Sequence, residues 1–135
     1  MNRSLIPPHL GPPSAHYSLA VVSDAGRSLY SSGIGPVEPD GSVPESIEHQ
    51  AKTVWVTIQA LLTEGEMTVD DVVLVTTYVV VPPTDPESFS GRLDAIMAAR
   101  DSALNGHRCA SVLVPVPALA TPSWMVEVAV VARAD

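Results

Sequence analysis

A single cysteine, Cys109, stands in a chain of 135 residues, so no disulfide can form within it and no cysteine-rich metal site can be built. Basic residues are scarce as well. Seven lysines and arginines face fifteen aspartates and glutamates, a formal net charge of −8. Such a surface repels phosphate backbones and offers no basic stripe to a nucleic acid. Long apolar runs are missing: none approaches the ~18–20 residues that cross a bilayer. The opening Met1-Asn2-Arg3-Ser4-Leu5-Ile6-Pro7-Pro8 holds no apolar stretch of signal-peptide length. The expected setting is the cytoplasm, with neither a membrane nor a nucleic acid as partner. His9, His16, His49 and His107 are scattered without a His-x-x-x-His spacing. No Gly-rich phosphate loop opens a helix and no Gly-x-Ser-x-Gly elbow occurs. No metal is assigned.

What is present suffices for one domain. Apolar residues make up 46% of the chain, enough for a core. Thirteen prolines gather before residue 14, around Pro36–Pro44, at Pro82, Pro83 and Pro86, and along Pro115–Pro122. Regular structure is expected between these punctuation points. Residues 1–14 read as a loosely held arm.

Tyr17–Ser23 and Arg27–Ser32, joined by Asp24-Ala25-Gly26, read as a hairpin. Pro44–Glu64 is the clearest helix. Ile47, Ala51, Val54, Ile58, Leu61 and Leu62 recur at helical spacing, Ser42 or Ser46 is placed to cap, and Gly65 to stop it. Val69–Val81 is almost continuously apolar and predicts a strand buried on both faces. A second helix follows, capped by Thr84 or Asp85, with Phe89, Leu93, Ile96, Met97 and Arg100 on one side. Asn105-Gly106 turns the chain into strands His107–Val114 and Trp124–Arg133. The order β-β-α-β-α-β-β does not alternate strand with helix. It predicts an α+β fold with two helices packed on one face of a mixed sheet. The other face would be apolar and uncovered, and association of copies is the simplest way to hide it.

Few residues on this frame can carry chemistry. Arg108 enters an otherwise apolar strand and could present a planar fork to a carboxylate, or serve as an ordinary salt-bridged strand end. Glu127 is the only charge within Trp124–Val131. It could order or deprotonate a water, or simply point to solvent. Gly33, between Ser32 and Ile34, allows close approach of a ligand to the backbone, or makes a plain turn. Tyr17 and Trp124 could wall a pocket or fill the core. Cys109 could be a reactive thiol, although a small buried strand residue fits its position better. His107 adjoins Arg108 and could titrate near neutrality.

These pieces resemble one known family, in order, from about residue 15 to 133. Tyr17-Ser18-Leu19-Ala20-Val21 is similar to the Gly-Pro-Tyr-Ser-x-Ala-Val start of the Rid/YjgF family, whose members are often labelled endoribonuclease L-PSP. Tyr30-Ser31-Ser32-Gly33-Ile34-Gly35-Pro36 resembles its Thr-Ser-Gly-Gln-Ile-Pro, and His49-Gln50-Ala51 its x-Gln-Thr. Met67–Val73 with Thr76–Val79 resembles its third strand. Arg108 matches the Arg of Pro-Ala-Arg-Ser, and Val126-Glu127-Val128 the final Ile-Glu-Ile.

The resemblance implies a chorismate-mutase-like homotrimer with sites between subunits. It implies hydrolysis of 2-enamine and 2-imine acids, such as 2-aminoacrylate, to 2-keto acids and ammonia. Arg108 would hold the carboxylate of this small substrate and Glu127 the water. Gly33 and Tyr17 would orient the imine, with Ser32, Ile34, Cys109 and Trp124 around it, and no cofactor would be needed. The chain departs from the pattern at Gly106-His107-Arg108-Cys109, at Ile34 in place of Gln, and at Leu93 in place of Asn. The Arg108–Glu127 segment is also longer, through Pro115–Pro122. A reshaped, more apolar pocket is expected. Three other readings are a pathway-specific relative acting on another carboxylate-bearing imine, a non-catalytic small-acid binder, and the ribonuclease of the family label. The charge of −8 argues against the last. Highly purified, metal-free protein is accordingly expected to leave RNA intact in a gel assay. Cleavage that co-purifies with the protein and disappears in Arg108→Ala would overturn this.

Overall fold

The computed structural model describes every residue except 6, 7, 11–15, 17, 19 and 25. Its elements are β1 (Asn2–Leu5), β2 (Ala20–Ser23), β3 (Arg27–Tyr30), α1 (Ile47–Glu64), β4 (Val72–Val80), α2 (Ser88–Leu104), β5 (Ala110–Val116) and β6 (Val126–Ala134). Four strands form a mixed sheet in the order β3-β6-β4-β5, and β1 pairs with β2 separately. β4 and β5 are parallel, whereas β6 runs antiparallel to both β3 and β4. Strands β3, β4 and β5 therefore share one direction, and α1 and α2 are the crossovers between them. This is the expected α+β architecture. No helix among the described residues is long and apolar enough to cross a membrane.

The period of each element decides what it buries. In β6, Val126, Val128, Val130 and Ala132 alternate toward the helices and are at most 2% exposed. They meet Val72, Val75 and Val79 of β4, Val54, Ile58 and Leu62 of α1, and Ile96 and Leu104 of α2 in one cluster. Each such valine, leucine or isoleucine contributes about 1.5–3 kcal/mol by leaving water. β4 carries a bulge: Val72 pairs with Ala132 but Leu74 with Val131. The extra residue keeps Val75, Thr77 and Val79 on the helix side and turns Leu74, Thr76, Tyr78 and Val80 to the other. On that outer face Val112 and Val114 of β5 remain 47% and 37% exposed.

Several local expectations are corrected. Asn2–Leu5 form a strand and not part of a loose arm, pairing with Ala20–Ser23. The hairpin of the second and third strands is replaced by longer-range pairing: β2 turns to β1, and β3 to Val131–Ala134 of β6. Turn residues mark where a chain reverses but not which strand it then joins. Ser46 caps α1 by accepting from the His49 amide, while Ser42 binds Asp40. Trp55, at 3% exposed, joins the core, whereas Leu61, expected there, is 39% exposed. Val69–Asp71 form a 3₁₀ turn before β4, closed by reciprocal bonds between Thr68 and Asp71. Neither Thr84 nor Asp85 caps α2, whose first residue follows Glu87 with no side-chain cap. Asn105 and Gly106 turn as expected, with φ of 48° and 87°.

One polar side chain organises the interior. Gln50 is 0% exposed. Its amide donates to the carbonyls of Pro44 (2.8 Å) and Ser123 (3.0 Å), and its oxygen accepts from the Met125 amide (2.8 Å). The loop before α1 and the entry to β6 are thus tied to one helix position. Gln50→Leu keeps the volume and removes all three bonds, leaving the Met125 N–H without that acceptor. A loss of about 2–4 kcal/mol is expected in urea unfolding at fixed protein concentration. An unchanged midpoint would show that these bonds contribute nothing net.

Candidate functional site

The first half of the site is built at the edge of the sheet beside β6. The Ser31 amide donates to the Val130 carbonyl (3.0 Å), and the Ser31 hydroxyl accepts from the Val130 amide (2.8 Å) in place of a ladder carbonyl. The next backbone pairing is Ile34 with Val128, at 2.8 and 3.1 Å. Residues 31 to 34 on one strand thus oppose 130 to 128 on the other, a bulge of one residue. Gly33 lies in that bulge, next to exposed Ser32. A Cβ at Gly33 would fall 2.5 Å from Glu127 Oε2, so the carboxylate rests directly on the glycine backbone. Tyr78 of β4 is the cross-strand neighbour of Glu127 on the outer face. Two residues past Gly33, the Trp124 ring covers Gly35, where a Cβ would meet it at 2.3 Å. Trp124 Nε1 is buried and finds no acceptor among the described residues.

Ile34 is bridged to β6. Its backbone is committed to Val128 and its side chain packs on the core. Leu93 is half-buried on α2, one residue after Arg92, whose guanidinium donates to the Val80 carbonyl.

The second half lies at the far end of the sheet. Arg108 is half-buried just before β5, and its carbonyl accepts from the Ser4 hydroxyl (3.2 Å). His107 Nε2 is 2.7 Å from the Val72 carbonyl. A carbonyl can only accept, so that nitrogen carries the proton, and the ring anchors the Arg108 segment beside the β4 bulge. His16 Nε2 contacts the Gly106 carbonyl (3.0 Å), and the Ser18 amide donates to the Cys109 carbonyl (2.7 Å). Tyr17 lies outside the described residues. Cys109 is 2% exposed within the core, and burial pushes its thiol up to about 11, partly countered by the nearby Arg100 guanidinium. Its side chain packs in the core cluster.

Register keeps the two halves apart. Ala110 pairs with Leu74, whereas Glu127 pairs with Tyr78. Four residues of β4 separate those rungs, about 13 Å, and Arg108 precedes Ala110 by two more. The structure therefore gathers Ser32, Gly33, Glu127 and Trp124 at one end and leaves Arg108 at the other. Sequence reasoning missed Ser31, Gly35, Tyr78 and the positioning role of Gln50. Only the resemblance at His49-Gln50-Ala51 singled out the last. A separate groove of about 460 Å³ runs between α1 and α2, along Lys52, Trp55 and Ala99, and no candidate residue lines it.

Fold and site together define a mixed-sheet α+β protein with a carboxylate seated on a glycine bulge. The chain belongs to the Rid/YjgF family: the family model described as endoribonuclease L-PSP matches residues 10–134. Among solved structures, the Rid-family protein YyfB of Yersinia pestis is similar at 26% identity and a TM-score of 0.85, over 98% of each chain. A Thermotoga maritima protein is 26% identical with a TM-score of 0.69, over 88% of this chain and 87% of its own. Escherichia coli TdcF with bound serine shares the fold at 18% identity and a TM-score of 0.67, over 98% of this chain and 92% of its own. No curated protein matches the chain.

The Cys109 environment makes a direct forecast. With a thiol at about 11, the thiolate is a minor species at pH 8. Native protein is expected to react with a thiol-specific disulfide reagent at least a hundredfold more slowly than urea-unfolded protein. Equal rates would show that Cys109 is accessible and ionised.

Proposed function

We propose that the protein hydrolyses 2-imino and 2-enamino acids to 2-keto acids and ammonia, at sites shared between subunits of a homotrimer. The observation that carries this reading is the seat of Glu127 on Gly33, at the opposite end of the sheet from Arg108. One copy alone cannot close both groups on a small molecule. The outer face between them is apolar and partly exposed at Val112, Val114 and Tyr30, which favours burial against further copies. The same fold in TdcF accommodates serine, also a small carboxylate-bearing molecule.

The chemistry follows from the two groups. Arg108 of one copy takes the substrate carboxylate in its planar fork. Glu127 of a second copy holds a water against C2 and accepts its proton as the O–C2 bond forms. The C=N π pair moves to nitrogen, which takes up a proton. The resulting carbinolamine loses ammonia as its hydroxyl proton leaves and the C2=O bond forms. An enamine first takes a proton at C3 to become the imine. Water and imine thus become keto acid and ammonia, with no change of oxidation state. The imine carbon is already electrophilic, so positioning and charge supply the acceleration.

Three variants test this with freshly generated 2-aminoacrylate, following ammonia release. Arg108→Ala should lose about 2–4 kcal/mol of transition-state binding, roughly two to three decades in kcat/KM. Arg108→Lys should do almost as badly, because lysine offers a point charge where a fork is needed. Glu127→Gln should lower kcat while ligand binding persists. Co-assembling Arg108→Ala with Glu127→Gln should restore activity, since some interfaces then pair an intact arginine with an intact glutamate. Absence of rescue in verified mixed trimers would reject the shared site. A wild type that binds 2-keto acids without turnover would make the cleft a sensor.

A further inference from the structure

Gly33 and Gly35 flank Ile34, whose backbone pairs with Val128 of β6. Glu127 fills the place of a side chain at the first and Trp124 at the second. The Cη2, Cζ3 and Cζ2 atoms of the indole lie 2.3, 2.4 and 2.5 Å from the Cβ position of Gly35. The benzo edge of the ring is therefore pressed to the backbone at Gly35, two residues from the glycine that carries the carboxylate. Its position is held from both sides. Gln50 binds the carbonyl of Ser123 and the amide of Met125, and the Trp124 amide donates to the Thr121 carbonyl (3.0 Å). Next to Glu127 across the sheet stand Tyr78 and then Val114, with Val80 and Val116 one rung further. Glu127 is the one charged residue on these rungs of the outer face.

A carbon held against Glu127 would thus place its substituent near an indole, a phenol ring and valines. A two-carbon side chain leaves most of this surface unburied. A larger apolar one removes it from water, and each added methylene in such a pocket is worth about tenfold or more in kcat/KM. We infer that this site selects 2-imino acids with a bulky apolar or aromatic side chain over those of the 2-aminoacrylate size, and that Trp124 on Gly35 is the specificity-determining wall. The inference rests on the deaminase reading above.

The test compares imines made in situ by an L-amino-acid oxidase from phenylalanine, leucine and alanine, with semicarbazide as the competing trap. 2-Aminoacrylate from a serine dehydratase is the smallest substrate. Wild-type kcat/KM for the phenylalanine or leucine imine is expected to exceed that for the alanine imine by at least tenfold. Trp124→Leu should reduce this large-to-small ratio about tenfold. Gly35→Ala, whose methyl displaces the ring without deleting it, should move the ratio the same way. A wild type active on every imine with no preference, or with preference for the small ones, overturns the inference and leaves the deaminase reading standing. A wild type inactive on all of them overturns both. Should either variant fail to fold, the wild-type ratio decides alone.

Discussion

The antiparallel insertion of β6 between β3 and β4 is the constraint on which the rest of the molecule depends. β3, β4 and β5 run one way and β6 the other. The last strand therefore enters the sheet at the end where β5 leaves it. Glu127, the second residue of β6, is consequently distant from Arg108, which precedes β5, although only 18 residues separate them in the chain. The same insertion completes the core, because the alternate valines of β6 supply the centre of the layer beneath both helices. One topological choice thus closes the hydrophobic interior and sets Glu127 and Arg108 at opposite ends of the sheet.

Polar groups then refine what the ladder leaves loose. The Ser31 hydroxyl stands in for a backbone carbonyl at Val130, and this lets the edge strand absorb the residue that puts Gly33 under Glu127. Gln50 binds the residues on either side of Trp124 from inside the first helix. His107 ties the segment carrying Arg108 to the carbonyl of Val72. Each of these three groups satisfies backbone groups that would otherwise be costly to bury. A second polar device is the Arg100 guanidinium, 6% exposed, which pairs with Asp101 and reaches Ser111 between α2 and β5.

Much of this was legible in the residue pattern, and the errors concern strand pairing and the face a side chain takes. The helical spacing of Ala51, Val54, Ile58 and Leu62 located α1, and the alternation along Val126–Ala132 located β6. Asn105-Gly106 marked the left-handed turn because few other residues adopt it. The hairpin expected across Asp24–Gly26 is not what the sheet uses: β3 pairs with β6, and β2 with β1. Ile34 and Cys109 looked like site residues from adjacency to Gly33 and Arg108. In strand-like backbone, neighbours in sequence point to opposite faces, so both went to the core.

By itself the sequence determined the two long helices, the central strands, the α+β class and the family. These follow from local periods and from short motifs, which act over a handful of residues. Only the tertiary structure decided which strands pair and where the bulges fall. It alone placed a carboxylate on Gly33 and an indole on Gly35, and it separated Arg108 from Glu127. Pairing and register are set by contacts between residues far apart in the chain, and a one-residue bulge reverses the face that every later side chain presents.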